Sequence, residues 1–293
     1  MPERRRRRVV GTALAALLAL CGCADRPERP GRPAPAATTA SACTVPDLTD
    51  PAHGRLVWHD EFDGDRVDRS RWNVRDGDKL SFDQAAIEAA NVGVADGRLA
   101  ITARREEVRG RPFTTGYLDT IGRFAQRYGR WEARVRLPVA PGRSRGLWPA
   151  FWLRATETAG EIDVVEAWGT PVRPGRRLPG AASWTVHEDT TSPPGSRSVG
   201  GWVAPQRLDG DFHVFAVDRT PDCLRFSLDG RTTGTVRVAD HPWVREALDS
   251  PLAIRLNLQV GGAYWGRADD GTALPAALLV DHVRAYAPVG GPS

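Results

Sequence analysis

The feature that most constrains this chain is a period-two alternation of apolar and polar residues, renewed in short runs from Leu56 to Tyr286. In RLAITARR (98–105), Leu99, Ile101 and Ala103 share one face. In GRWEARVRLP (129–138), Trp131, Ala133, Val135 and Leu137 oppose Glu132, Arg134 and Arg136. FHVFAVDRTPDCLRFSLDG (212–230) reads as two strands around Thr220-Pro221-Asp222, with a second turn at Asp229-Gly230. LAIRLNLQVGG (252–262) and LLVDHVRAY (278–286) continue the pattern, and only DHPWVREALD (240–249) reads as helix, with Asp240 as N-cap and Pro242 in the first turn. Many short strands joined by Gly/Pro turns predict an all-β sandwich or jelly roll in which one face of each sheet forms the core. The polar face of 252–262 carries Asn257 and Gln259, amides suited to bonding uncharged hydroxyls; taken alone, a solvated sheet face is the plainer account of them.

The ends of the chain read differently. Five consecutive arginines, Arg4 to Arg8, precede VVGTALAALLAL, which is short for a membrane span and suited to a signal segment. LCGC (20–23) resembles a lipoprotein cleavage box, so residues 1–22 are expected to be a signal peptide and Cys23 a lipid attachment site; the alternative is ordinary signal cleavage. Residues 23–50, rich in Pro, Ala and Thr, suit a tether. Residues 51–288 form the expected catalytic domain and 289–293 a tail. The formal charge of +4 lies wholly in residues 1–22, leaving a neutral remainder with no electrostatic case for nucleic acid. The expected location is extracytoplasmic, either secreted or held at the cell membrane by the lipid anchor alone, with the domain a monomer. Cys43 and Cys223 remain outside the leader, and in an oxidising compartment they either pair or stand as two thiols.

One segment breaks the alternation. GEIDVVEAWG (160–169) places three carboxylates, Glu161, Asp163 and Glu166, in a β-branched run. In a plain strand Glu161 and Asp163 share a face and Glu166 points to the other, where an unpaired carboxylate costs several kcal/mol. A β-bulge at Val164-Val165 would reset the alternation and return Glu166 to its companions. Calcium would want six to eight oxygens from turn-rich loops, and a solvated edge would not be set among Ile162, Val164 and Val165. Paired-carboxylate catalysis, with environments that split the acids' pKa values, accounts for the crowding.

GEIDVVE matches the E-x-D-x-x-E signature, and LVWHDEFDG (56–64), NVGVADGRLAITARRE (91–106), RYGRWEARVRLP (127–138), GLWPAFWLR (146–154), LNLQVGG (256–262) and LLVDHVRAY (278–286) follow in matching order. On these segments the chain resembles glycoside hydrolase family 16, in its bulged, laminarinase-like branch, across about residues 55–287. The resemblance implies a concanavalin-like β-jelly roll of two antiparallel sheets with a cleft on the concave face. It implies a retaining endo-glycosidase acting on β-glucan of β-1,3 or mixed linkage, with Glu161 as nucleophile, Glu166 as general acid and base, and Asp163 tuning Glu161. No cofactor is expected for catalysis. A sugar-binding protein on the same fold, a transglycosylase and a galactan hydrolase are the alternatives.

Trp148 and Trp152 share strand parity and either stack on sugar or fill the core. Trp168, on the side of Glu166, is a further platform, and His187 a subsite residue or a structural histidine. By the same resemblance a structural calcium would use Glu61, the Gly97 carbonyl and Asp281. Three stretches depart from the family pattern: Asp218-Arg219-Thr220-Pro221, where an aromatic is usual, residues 81–92, and the segment after His187. These departures bear on substrate choice.

Overall fold

The computed structural model describes residues 43–77, 83–140, 142–169, 182–189, 196–203, 208–262 and 266–290. Cys23 and the expected signal and tether up to residue 42 lie outside them. The described chain begins with β1 (Gly54–Asp60), β2 (Asn73–Val74), β3 (Ala85–Ile87), β4 (Val92–Ala95), β5 (Arg98–Ala103), β6 (Phe113–Thr115) and β7 (Tyr117–Asp119). There follow β8 (Gly129–Arg136), β9 (Leu147–Ala155), β10 (Glu161–Ala167), β11 (Ala182–His187) and β12 (Ser198–Val203). The last stretch holds β13 (His213–Arg219), β14 (Cys223–Leu228), β15 (Arg231–Arg237), α1 (Trp243–Ala247), β16 (Leu252–Val260) and β17 (Ala276–Pro288).

Two antiparallel sheets result. One has the order β15-β14-β13-β8-β17-β5-β4, with β1 also paired to β17; the other has the order β12-β11-β10-β9-β16-β7-β2. A small parallel pair, β3 and β6, forms a third sheet, tied to β16 by the Thr115 hydroxyl on the Leu258 carbonyl. The alternation read from the sequence sorts side chains between the layers. Leu99, Ile101, Trp131, Ala133 and Phe215 from the first sheet, and Phe151, Leu153, Ile162, Leu256 and Leu258 from the second, are almost wholly buried in one cluster. Trp184 of β11 stacks on Phe226 of β14 at 4.4 Å, joining the layers. The opposite face of the second sheet is left for function: Trp148, Trp152, Arg154, Arg255, Asn257 and Gln259 alternate with the core residues along β9 and β16.

Two local readings change. The helix is only five residues long and begins after Pro242, without a side-chain cap; Asp240 instead pairs with Arg237 at 2.6 Å. Pro242 stands at the N-cap, already in αR backbone geometry, where no intrahelical N–H donor is required. On the first sheet's outer face, Glu132 is buried: Arg130 bridges it at 2.8 Å to Asp218, itself fully buried and held by Arg225 at 3.0 Å.

The departure at 218–221 has a structural role. Arg219 places its guanidinium carbon 4.8 Å from the Tyr128 ring centroid and donates to the carbonyls of Arg127 (2.6 Å) and Leu248 (2.8 Å). Burial pushes the pKa of this guanidinium down to about 10. Cys43 and Cys223 form a disulfide across 180 residues, tying the chain before β1 to β14.

Candidate active site

The three acids meet because β10 is bulged. Against β9, Asp163 pairs with Trp152 and Val165 with Phe151, two steps on one strand against one on the other, so Val164 is the extra residue. Against β11, Asp163 pairs with Thr185 and Glu166 with Ser183, again one residue too many on β10. Val164 and Val165 stay buried while Glu166 turns to the face of Glu161 and Asp163. Its Oε1 accepts a hydrogen bond from Trp148 Nε1 at 2.8 Å, which identifies that face. Glu161, Asp163 and Glu166 are 9%, 4% and 9% exposed, too dry for three ionised carboxylates to coexist cheaply.

Neighbouring strands supply the charge balance. Glu161 stands between Arg154 of β9 and His187 of β11 as direct cross-strand partners. Arg154 Nη1 lies 2.9 Å from Glu161 Oε2, and His187 Nε2 lies 3.1 Å from Asp163 Oδ2. Burial, then the charge of Glu161, holds the Asp163 carboxyl well above its usual range, with Arg154 opposing. Burial also raises Glu166 well above its range, followed by repulsion from Asp163; the Trp148 hydrogen bond opposes it, and Glu161 adds a smaller upward push. Burial therefore favours the protonated form of Glu166, beside a Glu161 carboxyl paired with the guanidinium of Arg154.

Around the acids lies a floor of planar and amide groups. Trp152 Nε1 donates to Asn257 Oδ1 at 2.6 Å. Arg255 stacks on the Trp152 ring (4.7 Å) and donates to the Tyr117 hydroxyl (3.1 Å), so one face of that indole is already covered. Gln259, opposite Trp148, keeps a buried Oε1 with no hydrogen-bond partner among the described residues. Trp168 requires correction as a platform: it is only 3% exposed and packs at 5.6 Å on Trp202, which is 44% exposed and opposite Ser183 on the same face as Glu166. Among the described residues, Trp202 is the more exposed indole on that flank. Its position in the alternating run SVGGWV, with small residues around it, was the available signal. Arg154 was likewise visible, two positions beyond Trp152 on one strand.

The residues assigned to calcium are disposed otherwise. Glu61 gives both oxygens to Arg284 (2.9 and 2.8 Å) and lies 3.2 Å from His59; Asp281 pairs with Arg134 (3.1 Å) and His282 (3.2 Å). Gly97 holds the β4–β5 turn at φ +67°. Two carboxylates that each carry a guanidinium do not gather the six to eight oxygens calcium requires, so these residues as arranged do not fit the ion.

A β-sandwich whose open face sets a buried glutamate of raised pKa beside a second, arginine-paired glutamate, amid indoles and amides, defines a glycoside hydrolase. Comparison with known proteins agrees. The profile of glycosyl hydrolases family 16 matches residues 81–274, and the chain belongs to that family. It is 34% identical to "Beta-glucanase" of Rhodothermus marinus, over 82% of this chain and 88% of the relative. It is 31% identical to "Glucan endo-1,3-beta-glucosidase A1" of Niallia circulans over 81% of this chain, but spans only 39% of that relative's length. Among solved structures, the endo-beta-1,3-glucanase from Pyrococcus furiosus superposes with a TM-score of 0.68 at 29% identity, covering 81% of this chain and 96% of that one. The laminarinase from Rhodothermus marinus gives 0.68 at 30%, covering 80% and 98%.

Proposed function

We propose that the protein is a retaining endo-glycosidase that hydrolyses β-glucan of β-1,3 or mixed β-1,3/1,4 linkage by double displacement. The observation that carries this reading is the bulge at Val164, which turns Glu166 to the face of Glu161 and Asp163. Glu166 donates its proton to the glycosidic oxygen as that bond breaks, while Glu161 attacks the anomeric carbon and forms a glycosyl-enzyme. Water then attacks the same carbon, Glu166 takes its proton, and the Glu161 carboxylate leaves. Asp163, whose pKa burial and the Glu161 charge raise, is the neighbour that moderates charge on Glu161.

The glucan reading rests on the relatives' printed activities and on the Trp148, Trp152 and Trp202 indoles, which offer apolar planes to pyranose rings. No cofactor enters either step. The arginine-rich leader and Pro-rich tract support an extracytoplasmic location, with Cys23 as the lipid attachment in the anchored form. Reducing-end release from laminarin and lichenan by residues 43–293 tests the activity, and proton NMR of the first-formed anomer tests retention. A Glu161→Gln variant with unchanged turnover would falsify its role as nucleophile.

A further inference from the structure

Arg154 is the one cation paired directly with the proposed nucleophile among the described contacts: Nη1 lies 2.9 Å from Glu161 Oε2, with the two side chains 19% and 12% exposed. The pairing is built into the sheet, since Arg154 and Glu161 face each other across β9 and β10, while the residue on Arg154's other flank is Ala253. An ion pair this dry is screened far less than one in water. A guanidinium also keeps its charge throughout a catalytic cycle.

We propose that Arg154 is a positioning residue that stabilises Glu161 as a departing carboxylate, so that it governs breakdown of the glycosyl-enzyme more than its formation. This rests on the reading of Glu161 as nucleophile. In the first step a Glu161 oxygen bonds to the anomeric carbon, the glycosidic C–O bond breaks, and its electron pair leaves with the aglycone oxygen, which takes the Glu166 proton. Glu161 becomes a neutral ester and its attraction to Arg154 lapses. In the second step water oxygen bonds to the anomeric carbon and a water proton passes to Glu166. The C–O bond to Glu161 then breaks, and its electron pair returns to Glu161 as charge. A fixed cation 2.9 Å away favours the charged ends of both steps. It restrains the attack and assists the release, and differential stabilisation of this kind shows in one half-reaction rather than in both.

The test is pre-steady-state hydrolysis of an aryl β-glycoside of a glucan disaccharide with a good leaving group, by the parent, Arg154→Met, Arg154→Gln and Arg154→Lys. For Met and Gln, kcat and KM are expected to fall together by about tenfold, with kcat/KM held within about threefold. A burst of phenol approaching one per site appears, and the glycosyl-enzyme is captured by mass spectrometry. Lys restores kcat and abolishes the burst. A second readout is the acid limb of kcat/KM, which moves to higher pH by about one unit in Met and Gln. Among the described residues, the other charged groups beside Glu161 include Asp163 and Glu166 on β10 and His187 on β11, all unchanged in these variants. Equal losses in kcat and kcat/KM without a burst, or no change in either Met or Gln, overturn the proposal. If Glu161→Gln remains active, the nucleophile assignment itself fails; if it is inactive while the Arg154 variants match the parent, only the role of Arg154 fails.

Discussion

Glu166 shows how a single side chain couples stability to activity. Its carboxyl is held well above the ordinary range, chiefly by burial and then by Asp163. As pH rises past the ordinary carboxylate pKa, the unfolded chain releases this proton while the folded chain retains it. Stability therefore declines with rising pH, until the raised pKa is passed and both states are ionised. Glu166→Gln removes that penalty: urea midpoints at about pH 8 are expected to exceed the parent's, the gap closing toward about pH 4. The same variant loses hydrolysis, and the parent's activity falls on the alkaline side as the acid deprotonates. Arg219 poses a different problem. Its guanidinium donates to the carbonyls of Arg127 and Leu248; the Leu248 carbonyl also accepts from the Ser250 N–H, so Arg219→Met removes one donor from each and is expected to cost about 1–3 kcal/mol in denaturant unfolding. The sequence marked Arg219 only as a departure, because its carbonyl partners are not sequence neighbours.

At the scale of the element, β10 decides whether there is a site at all. Its acids were legible as a cluster, and the bulge was inferable from the cost of burying Glu166 alone. Which residue is extra, Val164, followed only from pairing with β9 and β11. Deleting Val164 should restore plain alternation and drive Glu166 toward the core. The expected result is a folded, destabilised protein with activity on laminarin reduced by about a thousandfold or more. The strand's entry is equally constrained. A Cβ on Gly160 would lie 2.2 Å from the Ala247 carbonyl oxygen, to which the Gly160 N–H also donates at 3.1 Å. Strand parity placed Trp148 and Trp152 on the correct side. It did not show that Arg255, arriving from β16, covers one face of Trp152.

Across the whole molecule, long-range ties hold the sandwich together. The disulfide Cys43–Cys223 closes a span of 180 residues. Cys223→Ser is expected to lose about 2–5 kcal/mol of stability by equilibrium denaturation, with the parent's value approached under reducing conditions by the same loss. The ion pairs at Glu61–Arg284 and Asp281–Arg134 stand where calcium was expected; chelation should therefore leave the melting temperature of this domain unchanged. The sequence by itself determined the strands, the two-layer sandwich and the acidic strand, because alternation and the cost of burying charge are local and act wherever the chain lies. It could not determine Arg154 against Glu161, Trp202 as the more exposed indole, or guanidinium groups at Glu61 and Asp281. Those depend on which strands become neighbours and in what register, and register is settled only when both sheets close on a common core.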